Sequence, residues 1–274
     1  DPYGKKMSKT KGNVIDPLEV MDEIGADALR FALVNGSAPG ADLRLTTSRL
    51  EGARNFANKL WNAARFVLGA QPEELPDDVA LSLPEKERLG PAEHWILSRC
   101  HLALRDADEA YANFQYAEAT RILHQAIWSE YCDWYLEMAK VRLGPDTEQE
   151  LRAATWQVLA WVLDRYLRML HPVMPHITEE IWGRLPSRPD DGDMLITAFW
   201  PVDANLKSEA DVDQAAAVAD ILELVSRLRN ARAAAGVVPA SGVEAELRFV
   251  QGDRAVAVVA SGEVGGRRAG GRAG

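Results

Sequence analysis

The chain has 274 residues, 47% hydrophobic and 26% charged, with no run of eighteen apolar residues, so it can bury a substantial core and offers no membrane span. Two cysteines, Cys100 and Cys132, are too few for a disulfide framework or a zinc cluster; both are expected to be buried and reduced, as in a cytoplasmic protein. The formal net charge of −10 is unevenly spread: residues 1–69 carry ten Lys/Arg against eight Asp/Glu and residues 70–274 twenty-one against thirty-three, so contact with a polyanion belongs to the amino-terminal quarter.

The opening Asp1-Pro2-Tyr3-Gly4 has neither a methionine nor a charged-then-apolar leader, and reads as a chain cut in mid-protein rather than a signal peptide. Lys5, Lys6, Lys9 and Lys11 then crowd into seven residues between Gly4 and Gly12. Like charges this close repel, and a polyanion such as a triphosphate relieves the repulsion. On the lysines alone, a solvated basic loop or a localisation patch competes with that reading. Asp16-Pro17 marks a helix start, with Leu18, Met21 and Ile24 at helical spacing and Gly25 as the stop. Asp27 is expected to cap the next helix, over residues 28–34, which Asn35-Gly36 closes. After a turn-rich connection, a long helix is expected from Thr47 to Leu68, with Ala53, Phe56, Ala57, Leu60, Ala64 and Val67 on its apolar face. Residues 70–91 form a surface connection. Helices follow over about 91–112, 115–143 and 147–170; His171-Pro172 to Pro175 breaks the chain, and Thr178 is expected to cap a short helix reaching Leu185. A further helix covers about 209–235, a short β pair fits near 243–259, and the Gly/Arg-rich end from Gly262 is expected to be disordered. The class is mainly α: an antiparallel helix bundle behind an amino-terminal loop region.

Three further patterns could carry chemistry. Arg54, Asn58, Asn62 and Arg65 are spaced four, four and three apart, so they share one stripe of the 47–68 helix opposite its apolar face, with Phe66 at the edge. Amides can read base edges, arginine can hold phosphate, and an aromatic ring can stack on an unpaired base. A solvated helix face with Phe66 in the core fits the pattern equally well. The aromatic run Trp128 to Glu137, and Trp156 and Trp161, have the spacing of core positions. The segment His171 to Trp182 brings only two ligands, His176 and Glu180, to one place, too few for a metal, and none is expected.

Lys6-Met7-Ser8-Lys9-Thr10 resembles the KMSKS signature loop of class I aminoacyl-tRNA synthetases, with Thr10 keeping the hydroxyl of the usual final serine. The likeness continues through Gly12–Pro17, Gly25–Phe31, Arg54–Phe66, Trp95–Arg99, Tyr131–Leu136 and His171–Trp182, so that roughly residues 1–240 are similar to the carboxy-terminal part of the valyl-tRNA synthetase family. The isoleucyl type is the near alternative; Gly40-Ala41-Asp42-Leu43-Arg44 looks like the valyl version. The resemblance implies that residues 1–45 end a catalytic domain and add a stem-contact module. It also implies that 46–205 form the anticodon-binding bundle, 206–240 an additional helix and 241–274 a weakly structured tail. By the same resemblance, Lys6 and Lys9 are catalytic, and with Ser8 and Thr10 they bind ATP, a substrate that brings Mg2+; no permanent cofactor is implied. Arg54, Asn58, Asn62, Arg65 and Phe66 would bind tRNA(Val). A monomer in the cytoplasm, away from membranes, is implied, with valine as the other substrate of the full-length enzyme. No HIGH-type signature occurs; the nucleotide-binding sheet, valine pocket and editing domain would precede Asp1, and the family's terminal coiled coil is missing. The chain alone is therefore expected to be inactive, and a non-catalytic tRNA-binding module is the competing function.

Overall fold

The structure, a computed structural model, describes residues 3, 5, 7–36, 40, 42–73, 75, 81–186, 192–201, 210–237, 244–249 and 256–261. The chain divides into two compact units, Asp1–Ala215 and Ala216–Gly274.

Among the described residues, every regular element of the first unit is a helix. α1 (Pro17–Ile24) starts as its sequence dictates: Pro17 takes the first position, where no amide partner is needed, and the Asp16 carboxylate accepts from the Leu18 amide at 2.9 Å. Gly25, at φ +89°, makes the corner into α2 (Ala26–Val34), a conformation that only glycine adopts without strain. Asp27, expected to cap α2, does something else. It is buried, and its carboxylate accepts from the amides of His176 (3.2 Å) and Ile177 (2.6 Å), the first free donors of α8 (Pro175–Trp182). Thr178 does not cap α8: it lies inside the helix, donates to the Met174 carbonyl at 2.7 Å and bonds to His171 Nδ1 at 2.8 Å. The cap comes from 149 residues away because Pro175 leaves the next two amides facing the α2 surface. One turn along α2, Arg30 donates to the Val173 and Pro172 carbonyls, both at 2.9 Å. Thus α2 supplies an anion to the start of one helix and a cation to the chain leaving another.

α3 (Thr47–Gly69) is capped by the Thr46 hydroxyl and packs on α2, on α8 and on the helix Gln149–Leu170. α4 (Pro91–Ala112) begins beside a fully buried Glu93. Its carboxylate accepts from the Gly90 amide at 2.9 Å, from the Thr155 hydroxyl at 3.1 Å and from Arg142. A Cβ at position 90 would press on the Arg142 guanidinium and the Glu93 carboxylate, so a larger residue there would have to displace this ion pair. The helix expected over 115–143 is one helical run in three parts: α5 (Tyr116–Gln125), a π-helical stretch Ala126–Tyr135 and α6 (Leu136–Arg142). Wider turns keep residues four apart in line, so Ile127, Tyr131 and Tyr135 all point inward.

α7 (Gln149–Leu170) is the centre of the bundle. Every residue from Ala154 to Leu170 except Gln157 and Arg165 is buried. Polar tips find helix carbonyls: Trp156 Nε1 donates to Val67 at 2.8 Å, Tyr131 to Leu159 at 2.9 Å and Tyr111 to Met169 at 3.0 Å. Val67 and Met169 lie in the last turns of α3 and α7, where carbonyls lack the regular bond from the amide four residues on. Asp164 and Arg168 form a buried pair (2.8 Å); the pair is completed by Trp182 Nε1 on Asp164 and by Arg168 donating to the Phe199 carbonyl. Cys100 and Cys132 are free and buried, and burial pushes both thiols up to about 12. Between α4 and α5, Phe114 stands in the left-handed region at φ +57°, a conformation that costs an L residue about 1–2 kcal/mol.

The second unit holds most of α9 (Val212–Ala234) and an antiparallel pair, β1 (Glu244–Phe249) and β2 (Val256–Ser261), with Glu244 opposite Ser261. The Gly/Arg end from Gly262 lies outside the described residues. Among the described residues no helix is long and apolar enough to cross a membrane.

Candidate functional site

Two places collect the residues singled out by sequence. The first is the lysine loop. Lys9–Lys11 form a single 3-10 turn that Gly12 ends at φ +64°. The Ser8 amide donates to the Asn13 side chain at 3.0 Å, the Ser8 and Thr10 hydroxyls lie 2.9 Å apart, and the Lys11 amide donates to the Ser8 carbonyl at 3.1 Å. The two hydroxyls thus face each other across the turn, and Thr10 can hold this arrangement as well as serine. Lys5 and Lys11 are exposed. Lys6 and the side chain of Lys9 lie outside the described residues.

The second is the outer face of α3. Its inner face buries Ala53, Phe56, Leu60, Ala63, Ala64 and Val67, and Arg54, Asn58, Asn62 and Arg65 are all exposed on the opposite side. Among the described residues neither Arg54 nor Arg65 is held in an ion pair. Phe66 is half-buried at the edge of the stripe, so it belongs neither to the core nor wholly to solvent. The ammonium of Lys140 stands 5.6 Å from its ring centre. On the other edge Arg184 stands 5.7 Å from the Trp61 ring. Lys59 lies 4.1 Å over the Trp128 ring and pairs with Asp133. The stripe is therefore bordered on both sides by cations that lie over aromatic rings and are each paired with an acid, Lys140 with Glu137 and Arg184 with Glu180.

Beneath Lys59 runs a ladder of rings. His124 stacks on Trp128 (5.6 Å), Phe56 touches His124 (4.7 Å), and Phe31 meets Phe56 (4.7 Å). Burial, and then the nearby Lys59 charge, hold the pKa of His124 below its ordinary value, which favours a neutral ring. Sequence reasoning missed Lys59, Trp61, Lys140 and Arg184. The first two carried a signal, since they flank the stripe on a helical projection of α3; Lys140 and Arg184 arrive from α6 and the end of α8, and only the fold brings them there. The aromatic run is core only in part: Tyr131 and Tyr135 are fully buried and Trp156 and Trp161 are buried, as expected, whereas Trp128 and Trp134 are half-buried.

Comparison with known proteins gives the geometry its context. The anticodon-binding domain of tRNA ligases matches residues 93–247, and the class I tRNA synthetases of the I, L, M and V types match residues 1–46. The chain is 42% identical over 255 residues to the valine–tRNA ligase of Corynebacterium efficiens, which covers 92% of this chain and 27% of that protein. It is 45% identical over 241 residues to the valine–tRNA ligase of Dehalococcoides mccartyi strain 195, covering 85% and 26%. The chain thus spans about a quarter of the length of the curated relatives it matches. Among solved structures, a Mycobacterium tuberculosis methionyl-tRNA synthetase bound by methionyl-adenylate superposes with a TM-score of 0.59 at 22% identity, over 73% of this chain and 38% of that one. The LeuRS of an Agrobacterium radiobacter ternary complex with tRNA and LeuAMS gives 0.55 at 20% identity, over 77% and 24%. These likenesses establish a shared helical fold. With more than half of its length matched, the chain belongs to the family of the anticodon-binding domain of tRNA ligases, preceded by a short class I synthetase segment.

Proposed function

We propose that this chain is the part of a valine–tRNA ligase that grips tRNA(Val) and contributes the phosphate-binding loop to ATP-dependent attachment of valine. The observation that carries the reading is the exposed face of α3. Two arginines and two asparagines in line, with a half-buried phenylalanine at the edge and a cation over each flanking ring, suit an unpaired RNA loop. Arg54 and Arg65 would hold phosphates, Asn58 and Asn62 would read base edges, and Phe66 would stack. The overall charge of −10 then works as a filter: the RNA is drawn to one face and repelled from the rest.

Residues 1–45 take the catalytic side of this division. Charge moves onto the departing pyrophosphate when valine attacks ATP, and Lys6 and Lys9 would meet it as compact cations on long side chains while Ser8 and Thr10 donate to the phosphates. ATP enters as a substrate with its Mg2+, and the protein works as a cytoplasmic monomer. The relatives are valine–tRNA ligases, which favours valine over the isoleucyl alternative.

Filter binding of a tRNA(Val) transcript at low salt tests the reading. Phe66→Ala and Asn62→Ala are expected to weaken binding by tenfold or more, with the thermal midpoint within a few degrees of the parent. Unchanged affinity, or a collapsed fold, would remove the α3 face from the RNA interface. ATP–pyrophosphate exchange by this chain alone is expected to be nil.

A further inference from the structure

Where α4 turns into α5, the surface of the first unit is aromatic and in water. Phe114 is 76% exposed and stands edge-on to Tyr116 at 6.2 Å; Tyr116 meets Tyr111 at 6.3 Å, and Tyr111 meets Trp200 edge-on at 5.7 Å. The row is anchored: Trp200 Nε1 donates to Asp108 at 2.8 Å and the Tyr111 hydroxyl to Met169. Beyond Trp200 it opens onto a groove of about 450 Å3 walled by Arg30 of α2, Pro172 and Ile196, the last 70% exposed.

Phe114 occupies the position at which glycine ordinarily ends a helix: the Gln115 amide bonds back to the Ala110 carbonyl at 2.8 Å, and Phe114 carries the positive φ. A bulky ring there is strained, and it gains nothing by reaching into solvent. Strain of this kind marks a surface used by something else. Around these rings Asp108 accepts from the Trp200 indole, Asp106 is paired with Arg105 and Glu118 with Arg121. The exposed row is therefore apolar with its neighbouring charges balanced, which suits a protein surface better than the phosphates of RNA.

Two facts choose which protein. The wall of the groove, α2, belongs to residues 1–46, which match the class I synthetases, and the aligned part of the Corynebacterium efficiens ligase is only 27% of that protein. We propose that the row from Phe114 to Ile196 is the docking surface for the class I synthetase core of the longer protein, which seals the groove beside α2 and fixes the angle between the catalytic loop and the RNA-gripping bundle. The proposal rests on the reading of this chain as part of a ligase.

Hydroxyl-radical footprinting tests it, comparing this chain alone with a fusion in which the chain replaces the aligned part of the Corynebacterium efficiens enzyme. Oxidation of Phe114, Tyr116 and Trp200 is expected to fall at least fivefold in the fusion. Phe114→Gly is expected to raise the thermal midpoint of the chain alone and to lower that of the fusion. Equal oxidation in both proteins overturns the proposal. So does protection of the chain alone by its own rising concentration, which would mean a second copy covers the row, or by tRNA(Val), which would make it an RNA surface. Loss of RNA binding in the α3 variants is read separately, so the docking proposal and the RNA reading can fail independently.

Discussion

α7 and α3 are nearly equal in length, 22 and 23 residues, and they divide the work of the molecule between them. From Ala154 onward α7 is enclosed on almost every side, and its central charge pair is internal: Asp164 and Arg168 answer each other, Trp182 and a backbone carbonyl. α3 buries one stripe and offers the opposite one, with Arg54 and Arg65 outside any ion pair among the described residues. The same residue types thus mean opposite things. A satisfied arginine in α7 is scaffold, and an unsatisfied one on α3 is available to a partner.

The sharpest break of that contrast is Asp164→Ala. It strands a buried guanidinium, and the expected loss is about 3–5 kcal/mol in urea denaturation. Trp156→Ala removes a fully buried indole and its bond to Val67, with a similar cost of about 3–5 kcal/mol by thermal unfolding. On α3 the order reverses. Phe66→Ala should cost little stability, yet loss of one stacked base is worth about 1–3 kcal/mol of RNA affinity. Arg54→Gln should be the mildest: stability unchanged, binding slightly weaker, and the slope of log affinity against log salt reduced by about one.

A pH titration sharpens the comparison from another side. His124 and His171 both have pKa values held down chiefly by burial, with Lys59 adding to the effect at His124 and Glu179 and Asp27 opposing it at His171. The folded form therefore binds protons less readily than the unfolded chain. Stability is complete above the ordinary histidine value of about 6.5 and falls as the pH drops below it. His124→Phe should remove part of that acid loss in denaturant melts at pH 5 and pH 7. An equal loss in parent and variant would clear His124 of the effect.

How much of this was legible in the sequence depends on how far each partner lies along the chain. The two faces of α3 could be read because helical periodicity is local. The cap at Asp16 was legible for the same reason. Asp27 looked like another local cap, and its real partners lie 149 and 150 residues on, where no pattern within a helix can report them. Glu93 reads as a surface acid in any window of sequence; only the arrival of Arg142 and Thr155 makes it a buried junction. The π-helical stretch escaped because its aromatic spacing suits an α-helix almost as well. For the lysine loop, chemistry and a family signature were visible at once, since a loop signature is carried by consecutive residues.

The borrowed cap has a practical consequence for anyone dissecting the protein. A truncation beginning at residue 46, where the family resemblance places the start of the bundle, would delete Asp27 and Arg30 together. The first amides of α8 and the carbonyls of Pro172 and Val173 would lose their partners at once. The smallest independently foldable bundle must therefore carry α2 with it, and residues 1–45 cannot be cleanly cut away from the helices that follow.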